Sequence, residues 1–271
     1  FLDNFKKIAP TLKRLYVTGG EPSIIKANTD MINHLIEIGN KECHVSFTTN
    51  LTTWNIDLYE KLSFFDKSEV QVSIDGYKKS QEYIRYGSAW EDIDRNFKKL
   101  IELPDKVRIQ IYNVFQVYNI FESHKIMKWL DSLDLKREVA FWPIIIDQPL
   151  HLRATVIPYH IRDKAKELYR DFYDYTSYNN RYLDLHGAAN KIISYLESDW
   201  EAHGSYKKYC QGVEQTEANQ KYMFYQYTNF MDKVRGHSFF ETFPQFTELK
   251  EEFKEVLEWK LETPNWWVDD E

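Results

Sequence analysis

Short apolar runs and longer amphipathic stretches alternate through the first half of the chain. Leu15-Tyr16-Val17-Thr18 is stopped by Gly19-Gly20, and then Ile24, Ile25, Met31, Ile32, Leu35, Ile36 and Ile38 recur at helical spacing up to Gly39-Asn40, a helix stop. The same pairing returns. "HVSFTTN" (44–50), rich in β-branched and aromatic residues, precedes a helical pattern over 55–65; "EVQVSIDG" (69–76), with Val70, Val72 and Ile74 alternating, precedes another from Asp92 to Leu103. "KVRIQIYNVFQV" (106–117) precedes a helix over 120–133, and "EVAFWPIII" (138–146) is a fifth strand pattern. Residues 1–14 read as a helix and the lead-in to a strand. Strands alternating with helices of this length predict βα units and a parallel sheet.

After Pro143 the pattern changes. Residues 158–175, 182–200, 216–234 and 246–260 are polar, studded with aromatics and helical in spacing, the last with Leu249, Phe253, Leu257 and Trp259 marking its apolar positions. An α/β core over residues 1–150 and an all-helical extension over 151–271 follow. No Pro/Gly/Ser-rich linker separates them, so the extension is expected to pack onto the core.

With 271 residues and 43% of them hydrophobic, the chain can bury a substantial core. The formal net charge is −7, and Lys and Arg are interleaved with Asp and Glu rather than gathered into a stripe. That disfavours a nucleic-acid partner. No apolar run approaches a bilayer-spanning length, and the first residues carry no targeting pattern, so no membrane partner is expected. The two cysteines, Cys43 and Cys210, offer neither a metal-ligand spacing nor a disulfide framework, which fits a reducing cytoplasm.

Ligands of parallel sheets sit at the C-terminal strand ends, where the loops converge. Four of the five ends here are small and polar: Thr18-Gly19-Gly20-Glu21-Pro22, Thr48-Thr49-Asn50, Ser73-Ile74-Asp75-Gly76, and Asn113 to Gln116 with Asn119 just beyond; the fifth is Trp142-Pro143. Any one of them reads more simply as caps and turns. Together they describe a site for a polar small molecule. Paired glycines permit close backbone approach, Glu21 is an acceptor for an ammonium group, and Pro22 fixes the chain as it leaves. Arg85, in "YIRYG", is either a carboxylate clamp with a planar fork or a surface residue beside Tyr83 and Tyr86.

These motifs, "GGEP", "TTN" and "SIDG" in this order, resemble the radical S-adenosylmethionine (SAM) superfamily, and within it the branch with SPASM or twitch domains. The likeness runs over residues 12–146, with a second at "NFMDKVRGHSFFETFPQF" (229–246) that is similar to the closing helix of phage-type twitch proteins. It implies a partial (βα)6 barrel with SAM across the strand ends, chelating a [4Fe-4S] cluster. Gly19, Gly20 and Glu21, with Pro22 in the same motif, would then hold the methionine amine. Asn50 would line the site, Ser73 and Arg85 would bind the SAM carboxylate, and Gln116 would lie near the ribose. Asp75 is either part of that site or a turn residue.

The resemblance also exposes a gap. Relatives hold the cluster on a CxxxCxxC loop after the first barrel strand, ahead of GGEP, and no such motif occurs here. The simplest account is a chain that begins after that strand and loop, which makes "LYVTGGEP" strand two and leaves a sheet edge unpaired beside it. The parent protein would be a radical SAM enzyme with an electron donor and, by analogy with SPASM and twitch relatives, a peptide or protein substrate. The chain alone is expected to form no 5′-deoxyadenosine and to bind SAM weakly. Cys43 is expected to be a buried small hydrophobe. A second reading is a catalytically inert SAM-fold binding protein whose aromatics (16% of residues), among them Tyr222, Phe224, Tyr225, Tyr227, Trp266 and Trp267, recruit a partner or form core. A third, a hydrolase or aldolase working through Glu21 and Asp75, has no supporting base, since His34, His44 and His124 fall away from the strand ends.

Overall fold

Period-two alternation in the strands has one consequence that organises the whole molecule: each buries one row of apolar side chains and turns the other row, mostly polar on β2 to β4, to the opposite face. The computed structural model describes residues 1–133, 135–177, 183–199, 209–210, 213–214 and 216–258. Helix α1 (Leu2–Ile8) leads into β1 (Arg14–Val17), followed by α2 (Lys26–Glu37), β2 (His44–Thr49), α3 (Ile56–Tyr59), β3 (Ser68–Ser73), α4 (Lys79–Ile84), α5 (Trp90–Leu100), β4 (Val107–Phe115), α6 (Ser123–Ser132) and β5 (Val139–Ile145). The five strands form one parallel sheet in the order β1-β2-β3-β4-β5. Sequential neighbours joined by helical crossovers are the arrangement of a partial βα barrel.

In register across the sheet, Phe47, Val70, Ile109 and Val139 form one buried row. The opposite face carries Tyr16, Ser46, Glu69 and Arg108 in one row and Thr48, Gln71, Gln110 and Ala140 in the next. Here Tyr16 O–H and Thr48 Oγ1 are 2.9 Å apart, and both donate to Gln71 Oε1. Burial, then the Glu69 carboxylate and Tyr16, push the Tyr112 phenol above its ordinary value. In a partial βα barrel the crossover helices cover the outer face, so the polar face is the concave one.

The two sheet edges differ. On β5, Pro143 has no N–H to offer, and its carbonyl accepts a 2.7 Å hydrogen bond from Lys191, which blunts that edge. Among the described residues β1 pairs with β2 alone.

The extension supplies α7 (Tyr159–Ser177), α8 (Leu183–Leu196), the two-residue strands β6 (Tyr209–Cys210) and β7 (Val213–Glu214), α9 (Glu217–Arg235), α10 (Phe239–Thr242) and α11 (Lys250–Glu258). The antiparallel β6–β7 pair departs from the all-helical expectation. Helix α8 contributes the small and branched residues Ala188, Ala189 and Ile192 to the core, while Tyr169 of α7 and Tyr195 of α8 meet Phe115 edge-on at 6.0 and 5.9 Å. One continuous apolar core runs from Phe5 to Val256. Phe224 and Tyr225 are in it, Tyr222 and Tyr227 pack against it, and Cys43 is fully buried. The helix expected over 246–260 starts later, because Pro244 opens a 3-10 turn that lasts to Leu249. Tyr182, Trp200, Trp259, Trp266 and Trp267 lie outside the described residues. No described helix is long and apolar enough to cross a membrane.

Candidate functional site

Where β1 ends, the chain turns through Gly19 (φ +93) and Gly20 (φ +54), conformations that side chains with a Cβ disfavour. A Cβ at either position would meet nothing within 4 Å. Backbone angle, not crowding, selects glycine, and the turn borders open volume. Glu21 then caps a short 3-10 turn, Pro22–Ile24, by accepting from Ser23 N at 3.1 Å. The same oxygen accepts from Thr49 Oγ1 at 2.8 Å, and the other oxygen from Asn50 N at 2.8 Å. This carboxylate bolts the ends of β1 and β2 together. Three donors occupy three of its roughly four acceptor positions, leaving one for an incoming N–H. Pro22 is buried, and its carbonyl accepts from Asn28 of α2 at 2.9 Å.

Asn50 closes a local turn, its Oδ1 accepting from Thr52 N at 3.0 Å and Thr52 Oγ1 at 2.7 Å. The next residue, Leu51, holds φ +57 while fully buried, a strained conformation for a bulky side chain, costing about 1–3 kcal/mol. Hydrogen bonds from Leu51 N to Thr49 Oγ1 and from Asn96 to the Leu51 carbonyl hold it there. Thr49 also accepts from Tyr59, whose phenol burial pushes up to about 12.

A second group spans the ends of β3 and β4. Ser73 is the last residue of β3, half-buried and in register with Tyr112 on the concave side. Asp75, 4% exposed, is more than a turn residue: its carboxylate accepts from Val114 N on β4 and from Arg85 Nε, both at 2.7 Å. Burial raises the Asp75 carboxyl above its ordinary value, against the opposing pull of Arg85. Only one edge of the guanidinium is used. The side chain keeps 31% exposure, and among the described residues no hydrogen bond commits its two terminal nitrogens.

Two amides hold this group, Gln81, which the sequence reading passed over, and Asn119, which it placed at the strand end without a role. Gln81, fully buried, accepts from Asp75 N and Gly76 N at 2.9 Å each. Asn119, also fully buried, donates to the Asp75 and Val114 carbonyls at 2.8 Å and accepts from Gln116 N at 2.7 Å. Gln116 itself is 7% exposed. A Gln-x-x-Asn capping pattern at a strand end was the available signal for Asn119; Gln81 carried none. The two groups, Glu21 with Asn50 and Asp75 with Arg85 and Gln116, are joined through the sheet rather than by direct hydrogen bonds.

Residues 1–130 match the family model of the radical SAM superfamily. The match takes in β1 through β4 and all nine candidate residues, and the α/β architecture is consistent with a partial radical SAM barrel. A search among curated proteins finds no match. Open backbone at Gly19-Gly20, a free acceptor position on Glu21 and a half-used arginine fork fit the amine and carboxylate of SAM. An iron–sulfur cluster does not fit: among the described residues no three His, Cys, Asp or Glu side chains could hold a metal, and the Cys43 thiol is buried and raised by desolvation.

Proposed function

We propose that this chain carries the SAM-binding part of a radical SAM enzyme of the phage-type SPASM or twitch branch, acting in the cytoplasm on a peptide or protein substrate with an electron donor. The observation that supports it is the pairing of a strand-end carboxylate with a free acceptor position (Glu21) and an arginine anchored on one edge only (Arg85), within the matched region. SAM held there would, once cleaved by one-electron reduction, supply hydrogen-atom abstraction.

The chain's own residues hold and orient. Glu21 and the Gly19-Gly20 backbone receive the ammonium group; Arg85 and Ser73 receive the carboxylate; Asn50 lines the site, and Gln116 lies near the ribose. Such placement would orient the cofactor at the strand ends beside the polar sheet face, where Tyr16 and Tyr112 would meet substrate. With no described residues grouped to hold the cluster, the chain by itself is expected to form no 5′-deoxyadenosine. Reconstitution with iron, sulfide, dithionite and SAM, followed by quantification of 5′-deoxyadenosine, tests this: no product above background is expected, and catalytic turnover by the chain alone overturns it. SAM binding that Arg85→Gln leaves unchanged overturns the residue assignment.

A further inference from the structure

Arg85 lies between two aromatic residues that are gripped by a distant part of the chain. Tyr83 donates its O–H to Asp232 Oδ1 of α9 at 2.8 Å, a contact between residues 149 positions apart. Arg235, one turn on, donates to the Tyr83 carbonyl at 3.1 Å. The other Asp232 oxygen accepts from Phe239 N, at the start of α10, at 2.8 Å. So one carboxylate ties α4 to the elbow between α9 and α10. The Tyr83 ring is 5% exposed and packs edge-on against Phe243 at 5.1 Å and Tyr118 at 5.6 Å. On the far side of Arg85, the Tyr86 ring is covered by the Arg235 guanidinium at 5.2 Å and met by His237 at 5.5 Å.

This grip bears on the arginine. Helix α4 has only six residues, too few to be stable by itself, and Arg85 is its C-terminal cap. The direction of the guanidinium therefore depends on what holds residues 83 and 86. Asp75 fixes its Nε from the barrel side; Asp232 and Arg235 fix the backbone from the extension side. We propose that Asp232 and Tyr83 are positioning residues for Arg85, so that docking of the α9–α10 elbow sets the fork that receives a ligand carboxylate. The proposal rests on the reading of Arg85 given above. By linkage, a carboxylate bound on Arg85 strengthens elbow docking by the same factor by which docking strengthens its binding.

Tyr83→Phe keeps the ring and removes the O–H; Asp232→Asn keeps the shape and loses one of two acceptors. The probes are SAM and 5′-methylthioadenosine, which lacks the amino-acid end, each titrated to millimolar concentration while the Arg85 Nε–H resonance is followed. Each variant is expected to weaken SAM roughly tenfold, the scale of one hydrogen bond to a charged group. Affinity for 5′-methylthioadenosine stays the same. In the unliganded variants the Arg85 Nε–H signal broadens and exchanges faster with solvent. Equal losses for both probes point to general loosening and overturn the proposal, as does an Arg85 signal in the free variants identical to wild type. SAM affinity indifferent to Arg85→Gln overturns the reading of the site; affinity that depends on Arg85 but not on Tyr83 or Asp232 overturns the latch alone.

Discussion

Replacing Asn119 tests how the β3 and β4 ends are held. The side chain is fully buried and satisfies three backbone groups: the carbonyls of Asp75 and Val114 and the N–H of Gln116. Asn119→Ala strands all three. A buried polar group left without a partner costs roughly 1–3 kcal/mol, and partial relaxation brings the sum to about 4 kcal/mol. Asn119→Asp keeps the size and the acceptor for Gln116 but puts an oxygen where the amide nitrogen faced two carbonyl oxygens. Ionised, the new carboxylate is repelled by both; protonated, it can donate to one of them. Its folded pKa is therefore raised above the unfolded value of about 3.9. A carboxyl raised in this way adds stability that is present below its unfolded pKa and lost as pH rises through the folded one. The Asn119→Asp deficit relative to wild type is thus about 1–2 kcal/mol near pH 4, where the protonated form loses one hydrogen bond, and grows toward the alanine value or beyond by about pH 7.5. The Asn119→Ala deficit is flat. Urea unfolding followed by tryptophan fluorescence at the two pH values measures both. A pH-independent Asn119→Asp deficit, or an Asn119→Ala deficit under about 1 kcal/mol, refutes the argument that this amide carries the junction.

Gly76→Ala places a Cβ 2.5 Å from Gln81 N and 2.6 Å from Ser80 C, so backbone must move and a loss of about 2–3 kcal/mol is expected. Gly187→Ala, on α8 where a Cβ meets nothing within 4 Å, serves as its opposite and should gain about 0.5–1 kcal/mol; thermal melts of the two variants that shift in the same direction would contradict this. His151 is 9% exposed, packs on Tyr227, and burial lowers its pKa from 6.5 to about 4. A histidine depressed in this way is more basic in the unfolded chain, so stability is complete above 6.5 and falls as pH drops through that window. His151→Phe should flatten the loss between about pH 6.5 and 4, worth roughly 3 kcal/mol at the acid end; unfolding curves as acid-sensitive as wild type would show that the ring is not held neutral.

The sheet was legible because strand periodicity is local. Alternating Val70, Val72 and Ile74, or Val107, Ile109 and Ile111, admit one buried face, and parallel neighbours in chain order then bring the polar ends to one rim. The candidate residues at the strand ends followed from that rim, Glu21 among them. Which donors Glu21 would meet did not: Thr49 and Asn50 reach it only because Val17 pairs with Phe47, a register that neither segment encodes alone. Helix α4 was passed over for a related reason. Six residues are less than two turns, too short for a 3.6-residue period to show, and Gly76 must first let the chain fold back so that Gln81 can reach Asp75 N. Arg85 could be named from its neighbours in sequence, but the side chains that aim it, Asp75 ten residues earlier and Asp232 far beyond, are supplied by tertiary packing. Residue type declares what a side chain can bind. Its direction is set by contacts that only the packed extension supplies, Asp232 to Tyr83 and Arg235 to the Tyr83 carbonyl among them.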